Sequence, residues 1–131
     1  MHPFLLGAGL LGLLSVAFGA FSEHALRPNV DAESFRFLMT AVRYNQVHAV
    51  ALLALALGLA APLSVSTTAR IRLAAWLMLI GTLLFSVSIY LAVWSGNLQL
   101  TYLTPAGGIT LMLAWTVLIW AGWKARKDTK S

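Results

Sequence analysis

Four stretches of the chain are apolar over about the length that a helix needs to cross a lipid bilayer. They lie at about residues 3–23, 42–63, 72–94 and 104–123. Roughly 20 helical residues span a hydrocarbon core of ~30 Å, and lipid offers the backbone no hydrogen-bond partner. Each stretch is therefore predicted to be a transmembrane α-helix, because a helix pairs its own amides and carbonyls.

The composition supports a lipid environment for the whole chain. Hydrophobic residues make up 60% and charged residues 10%, whereas soluble domains carry about 25% charged residues. The absence of cysteine excludes disulfides, thiol catalysis and cysteine-ligated metals. Residues 1–131 are predicted to form a single membrane domain of the all-α class, a polytopic bundle of four transmembrane helices.

The distribution of lysine and arginine predicts the orientation. With four spans, the termini and the second connection lie on one side, and the first and third connections lie on the other. The first side carries Arg70, Arg72, Lys124, Arg126, Lys127 and Lys130, and the second carries Arg27, Arg36 and Arg43. Basic residues favour the cytoplasm, so both termini are predicted to be cytoplasmic. We expect the first stretch to be a span, because no basic n-region of a cleaved signal precedes it.

Polar side chains collect at one level of the predicted bundle, beneath the outer surface. The ends of the first and third spans and the beginnings of the second and fourth meet there. The candidate polar cluster consists of Glu23, His24, Arg43, Tyr44, Gln46, His48, Ser86, Tyr90 and Thr104.

Small residues indicate where the helices approach one another. Small positions in the first span, including Gly12 and Gly19, recur at steps of three or four, which places them on one helix face together with Glu23. Gly107 and Gly108 open the fourth span. Small residues allow close contact between membrane helices, so these four glycines are predicted to be packing positions.

Arg43 has three interpretations. Its guanidinium can reach up to water, can tie two helices together through hydrogen bonds, or can hold an anionic ligand. Glu23 is the acidic residue predicted to pair with it. A tie between the first two spans predicts that Arg43→Ala lowers stability.

His48 lies roughly 9 Å below the predicted boundary, at 1.5 Å per residue. It is interpreted as a neutral histidine bonded across helices, a proton relay or ligand contact, or a metal or haem ligand. His24 is predicted to lie roughly 9 Å higher, which argues against two axial haem ligands.

Two segments, GAFSEHAL and TAVRYNQVHAVALLALAL, resemble motifs of the domain-of-unknown-function family 423, which is similar to eukaryotic transmembrane protein 256. The stretches LLFSVSIYLAVWSG and LTPAGGITLMLAWTVL extend the likeness to the third and fourth spans. The resemblance implies that the family's recurring polar positions fall largely on the candidate cluster, and that they also include Pro105. This sequence departs from the family pattern at Ser22-Glu23, where the family more often has small residues. The resemblance implies a bacterial inner-membrane location and no reaction.

Four functions fit these observations. The first is a scaffold or accessory protein with membrane lipid around it, acting as a homo-oligomer or in a larger membrane complex. The second is a small-solute or ion carrier acting as an oligomer. An enzyme or redox protein and a lipid or quinone binder are the others. No catalytic, phosphate-binding or acidic metal motif is present, so we expect no enzyme activity, no cofactor, no metal and no nucleic-acid partner.

Overall fold

A computed structural model describes residues 2–128, with side chains described to residue 125. Every regular element in this part of the chain is helical. The first half contains α1 (His2–Phe21), a π-helical turn (Ser22–Leu26), a 3-10 turn (Arg27–Asn29) and α2 (Ala32–Gly58). The all-α class predicted from the sequence is confirmed.

The second half has a similar arrangement of long helices interrupted by other helical turns. It contains α3 (Val65–Thr82), a second π-helical turn (Leu83–Val87), α4 (Ser88–Ser95), a 3-10 segment (Leu98–Leu103) and α5 (Thr104–Asp128). The π turn joins α3 to α4 without a break, so the two form one continuous helix.

Local side-chain chemistry sets several helix ends. The Asp31 side chain caps the start of α2 by accepting a hydrogen bond from the Ser34 amide, and Ser64 caps α3 in the same way through Thr67. Gly96 follows α4 with a φ of 72°, a left-handed conformation that glycine adopts without steric cost.

Three of the continuous helices are long and apolar enough to cross a membrane by length and composition. They are His2–Asn29, Val65–Ser95 and Leu98–Ala125. Helix α2 is not among them, since its first half carries polar and charged side chains. The helix that covers most of the predicted second span, 42–63, has different bounds from the span. It begins earlier, at Ala32, and ends at Gly58, where turns lead toward Pro62.

The helices pack mainly as two pairs, α1 against α2 and α3 against α5. One buried cluster joins Phe4 and Leu11 of α1 to Leu52 of α2 and Ala75 of α3. A second cluster, nearer the α1–α2 connection, packs Leu38 and Val42 of α2 against Ile89, Tyr90 and Val93 of α4. The polar side chains described below lie beside this second cluster.

The cap of α2 makes a testable contribution to pH-dependent stability. The Asp31 carboxylate accepts hydrogen bonds from the Ser34 amide and from the Ser34 hydroxyl. Both bonds lower the pKa of Asp31 below its ordinary value, and the amide bond has the larger effect. A lowered folded-state pKa gives stability that is present above the unfolded pKa and is lost as pH falls through the folded one. Asparagine caps helices equally well but does not titrate. We expect Asp31→Asn to lose less thermal stability than wild type on acidification below about pH 4. An equal fall in melting temperature with pH in wild type and Asp31→Asn would contradict this prediction.

Candidate functional site

The centre of the polar cluster is a buried hydrogen bond between α2 and α4. The Asn45 side-chain amide donates to the Tyr90 hydroxyl at 3.2 Å, and both side chains are buried. The ring of Phe18, from α1, stacks on the Tyr90 ring with 4.1 Å between centroids. Three helices therefore meet at Tyr90, and its hydroxyl is held inside the bundle by a partner on a different helix.

Two serines near the second π turn extend this connection. The Ser86 hydroxyl donates to the carbonyl of Ala41 in α2 at 2.8 Å. The hydroxyls of Ser88 and Thr104 share a hydrogen bond of 2.9 Å, which joins α4 to the start of α5. Buried hydroxyls need partners in an apolar environment, and here the partners come from neighbouring helices.

His48 uses both ring nitrogens within the protein. Nδ1 donates to the carbonyl of Tyr44 at 2.7 Å, and Nε2 accepts from the indole N–H of Trp115 in α5 at 3.1 Å. A carbonyl only accepts and an indole N–H only donates, so this pattern assigns the neutral, Nδ1-protonated ring. The geometry agrees with the interpretation of His48 as a histidine bonded across helices. No group of three or more histidine, aspartate or glutamate side chains suited to a metal occurs within the described residues.

A half-open groove runs beside His48, between α2 and α5, with a volume of about 380 Å³. Tyr44 forms one wall and stacks on Phe85, with 4.5 Å between ring centroids. Trp115 and Met112 form the opposite wall. The polar atoms of His48 and Trp115 at this groove are already bonded to each other.

Comparison with known proteins identifies the family. Residues 18–108 match the family described as Protein of unknown function (DUF423). The chain belongs to this family. The UPF0382 membrane protein of Haemophilus influenzae is 32% identical over 95% of this chain and 97% of its own length. No solved structure matches the chain.

Two further relatives agree with a membrane protein. The UPF0382 membrane protein YwdK of Bacillus subtilis is 32% identical over 95% of this chain and 98% of its own length. The UPF0382 inner membrane protein YgdD of Escherichia coli K12 is 28% identical over 88% of this chain and 85% of its own length. This DUF423 chain is therefore a multi-pass membrane protein, and the bacterial inner membrane predicted from its sequence is also the location in the YgdD name.

Not all predicted cluster residues of this DUF423 chain come together. Glu23 does not pair with Arg43, and that prediction is wrong. Glu23 forms an ion pair of 2.8 Å with Arg27, one turn along the same helical segment. Such an i,i+4 partner requires no second helix, so the local pair forms instead. His24 and Gln46 are exposed and make no hydrogen bond among the described side chains.

Arg43 also differs from its predicted structural role. It is exposed, whereas its neighbour Val42 is buried, because successive helical positions point about 100° apart. Arg43 makes no hydrogen bond or ion pair among the described residues. The prediction that it ties the first two helices together is wrong.

The four predicted packing glycines occupy different environments. A Cβ at Gly107 would lie 2.4 Å from the amide nitrogen of Phe85, so α5 touches the α3–α4 helix there. A Cβ at Gly19 or Gly108 would make ordinary contacts of 3.6 Å or longer. Gly12 has open space around it, so its predicted role in close packing is wrong. Gly81, which the sequence reasoning did not single out, lies against Leu111 of α5.

Asn45, Trp115 and Phe18 were absent from the predicted cluster although they take part in it. A signal for Asn45 was present, because it falls on the same α2 stripe as Leu38, Ala41 and Leu52, at steps of three or four. Trp115 and Phe18 carried no comparable signal, since aromatic residues are common throughout apolar spans.

The exposed position of Arg43 predicts that its substitution has little effect on stability, whereas the sequence predicted a loss of stability. Surface substitutions usually change the free energy of unfolding by no more than about 0.5 kcal/mol. We expect Arg43→Gln to melt in detergent close to wild type, while Asn45→Leu, two residues away in the core, is clearly destabilised. A loss with Arg43→Gln as large as that with Asn45→Leu would show that Arg43 supports the fold after all.

Proposed function

We propose that this chain is a small scaffold or accessory protein of the inner membrane, without enzymatic activity, which crosses the bilayer four times. The observation that carries the proposal is the use of its buried polar groups. Asn45, His48 and Ser86 bond to neighbouring helices. These groups stabilise the helix arrangement. His48 lines the groove between α2 and α5, but both of its ring nitrogens are already hydrogen-bonded within the protein.

The length and burial pattern of α2 support four spans. Its 27 residues extend about 40 Å at 1.5 Å per residue, enough to cross the hydrocarbon core. The half from Val47 to Gly58 is apolar except for His48, and the polar side chains Asn45 and His48 are buried. A helix that turns its polar groups inward can lie in lipid although its average hydropathy is modest. The excess of basic residues beside the second connection and the C-terminus favours cytoplasmic termini.

The nature of the buried residues favours a scaffold over a proton-coupled carrier. No lysine, arginine, aspartate or glutamate is buried in the part of the chain that the structure describes. Ionisable groups within the membrane usually mark transport routes and relays. The outward surfaces of α1 and α5 are instead apolar, with exposed Leu6, Leu13, Val16, Ile109 and Ile119. Such surfaces suit lipid or another membrane protein.

A carrier formed by several copies is the second candidate, and one observation favours it. Arg43 and Gln46 are three residues apart on an exposed face of α2. Contact between copies along this face would place both side chains at an interface. A carrier of this kind would require the oligomer, because the interior of a single bundle is filled by its own side chains.

A native pull-down with mass spectrometry tests the scaffold. We expect the tagged protein, expressed at its natural level, to recover a membrane protein in constant ratio or a defined oligomer of itself. A monomer without any stoichiometric partner would contradict the proposal. Proteoliposomes separate the two candidates. If the protein is a scaffold, vesicles that contain it should leak ions no faster than empty vesicles. Ion flux that is lost when Arg43 or Gln46 is replaced would support the carrier.

A further inference from the structure

At the end of the bundle opposite the polar cluster, an arginine stacks on a tryptophan and has no acidic partner among the described residues. The Arg70 guanidinium, on α3, lies over the ring of Trp120 on α5, 4.6 Å from its centroid. The Nη1 atom of Arg70 is buried and has no hydrogen-bond partner among the described residues. A buried N–H of a charged group is costly to leave without an acceptor. Arg70 as a whole is only half-buried, so the outward part of its guanidinium is open to an anionic ligand that would offset this cost.

The acidic side chains that the structure describes do not supply that acceptor. The three acidic side chains that the structure describes, Glu23, Asp31 and Glu33, all belong to the α1–α2 connection or its flanks. The two ion pairs among described residues involve Arg27 and Arg36, and neither involves Arg70. Within the described side chains, the neighbourhood of Arg70 is purely cationic, with Arg72 two residues on and Lys124 one turn beyond Trp120.

The position of Arg70 along α3 fits the headgroup level of a membrane. Arg70 lies five residues after the start of α3 at Val65, or roughly 8 Å along the helix axis. Trp120 is half-exposed, as is usual for tryptophans at the level of lipid headgroups. A guanidinium at this level carries a planar set of donors that matches phosphate oxygens.

We propose that Arg70, stacked on Trp120, binds the phosphate of an anionic phospholipid at the membrane surface. The indole fixes the guanidinium plane, and the outward N–H groups of the half-buried Arg70 donate to a phosphate oxygen. Lys124 is exposed nearby and adds long-range attraction. This site does not depend on the scaffold function, because a carrier of the same fold would present the same arginine.

Native mass spectrometry of the full chain in detergent tests the site, with phosphatidylglycerol and phosphatidylcholine as probes. We expect wild type to retain phosphatidylglycerol in preference to phosphatidylcholine. Arg70→Gln should weaken phosphatidylglycerol retention about tenfold, the effect of losing a charge-assisted hydrogen bond. Arg72→Gln is the matched control, because it removes the same charge from an exposed position on the same helix. Arg72→Gln should retain nearly all of the wild-type lipid.

Two outcomes would overturn the site. Equal losses in Arg70→Gln and Arg72→Gln would indicate diffuse attraction between lipid and basic residues. Displacement of the lipid by millimolar inorganic phosphate, with phosphate itself bound, would identify a soluble anion as the ligand. Trp120→Leu keeps every charge and removes the stacking surface, so a severalfold loss of phosphatidylglycerol in this variant would support the fixed guanidinium. Wild-type retention in Trp120→Leu would contradict it.

Discussion

A single methyl group at Gly107 is expected to disrupt the packing of α5 on the α3–α4 helix. The added Cβ would lie 2.4 Å from the Phe85 amide nitrogen, 2.8 Å from its Cα and 2.9 Å from the Gly81 carbonyl oxygen. All three neighbours are backbone atoms, so no side chain can rotate away. We expect Gly107→Ala to lower the free energy of unfolding by at least about 3 kcal/mol, the upper end of overpacking costs. Thermal unfolding in detergent measures this loss, and Gly107→Leu should prevent accumulation of folded protein.

Gly122→Ala is the matched control on the same helix, since a Cβ there meets no atom within 4 Å. Alanine favours helix over glycine by up to about 1 kcal/mol, so this variant should be as stable as wild type or slightly more stable. Equal melting temperatures for Gly107→Ala and Gly122→Ala would mean that α5 does not approach Phe85 as closely as described.

The hydrogen bond between Asn45 and Tyr90 is expected to stabilise the bundle more than the other polar contacts among the described residues. Tyr90→Phe leaves a buried amide without its partner, and Asn45→Leu leaves a buried hydroxyl without its own. Each should cost about 1–2 kcal/mol. Replacing both partners by apolar groups removes the unsatisfied atoms, so the double variant should cost less than the sum of the two single variants.

A double-mutant cycle by chemical or thermal unfolding measures the coupling directly. We expect a coupling energy of about 1 kcal/mol, within the range found for hydrogen bonds between membrane helices. Strict additivity of the two substitutions would contradict a direct bond. Ser95→Ala provides a local control, because the Ser95 hydroxyl is exposed and bonds only near its own helix end, donating to the Leu91 carbonyl and accepting from the Asn97 amide.

The class of fold was predictable because lipid leaves the backbone few choices. Apolar stretches of this length must be helical in a membrane, and every regular element within the described residues is helical. The limits of α2 were less predictable. Its charged N-terminal part, which contains Arg36, lowers the hydropathy of the segment, while the Asp31 cap extends the helix back beyond the apolar stretch.

Part of the candidate site was also predictable, and the reason lies in helix periodicity. His48, Ser86, Tyr90 and Thr104 face neighbouring helices because their spacing places them on inward stripes. Charge complementarity predicted the contacts less well, because Glu23 pairs with Arg27 in its own helical segment and Arg43 is exposed.

The π turns were not predictable from apolar pattern. A π turn contains more residues per turn than an α turn, so it changes which side chains face a neighbouring helix. The second π turn contains Ser86, whose hydroxyl reaches Ala41, and it immediately precedes Ser88, which reaches Thr104. The hydropathy of Leu83–Val87 contains no sign of this change, because an α-helical turn would be equally apolar.

Cysteine labelling is the most direct measurement of the topology on which the functional proposal depends. The natural chain contains no cysteine, so single-cysteine variants can be labelled without background. We expect Asn29→Cys and Gln99→Cys to react with a membrane-impermeant maleimide added outside the inner membrane. Ala61→Cys and a cysteine placed after Ser131 should react only after the membrane is lysed. Labelling of Asn29→Cys and Ala61→Cys from the same side would show that α2 does not cross the bilayer, and would contradict four spans with cytoplasmic termini.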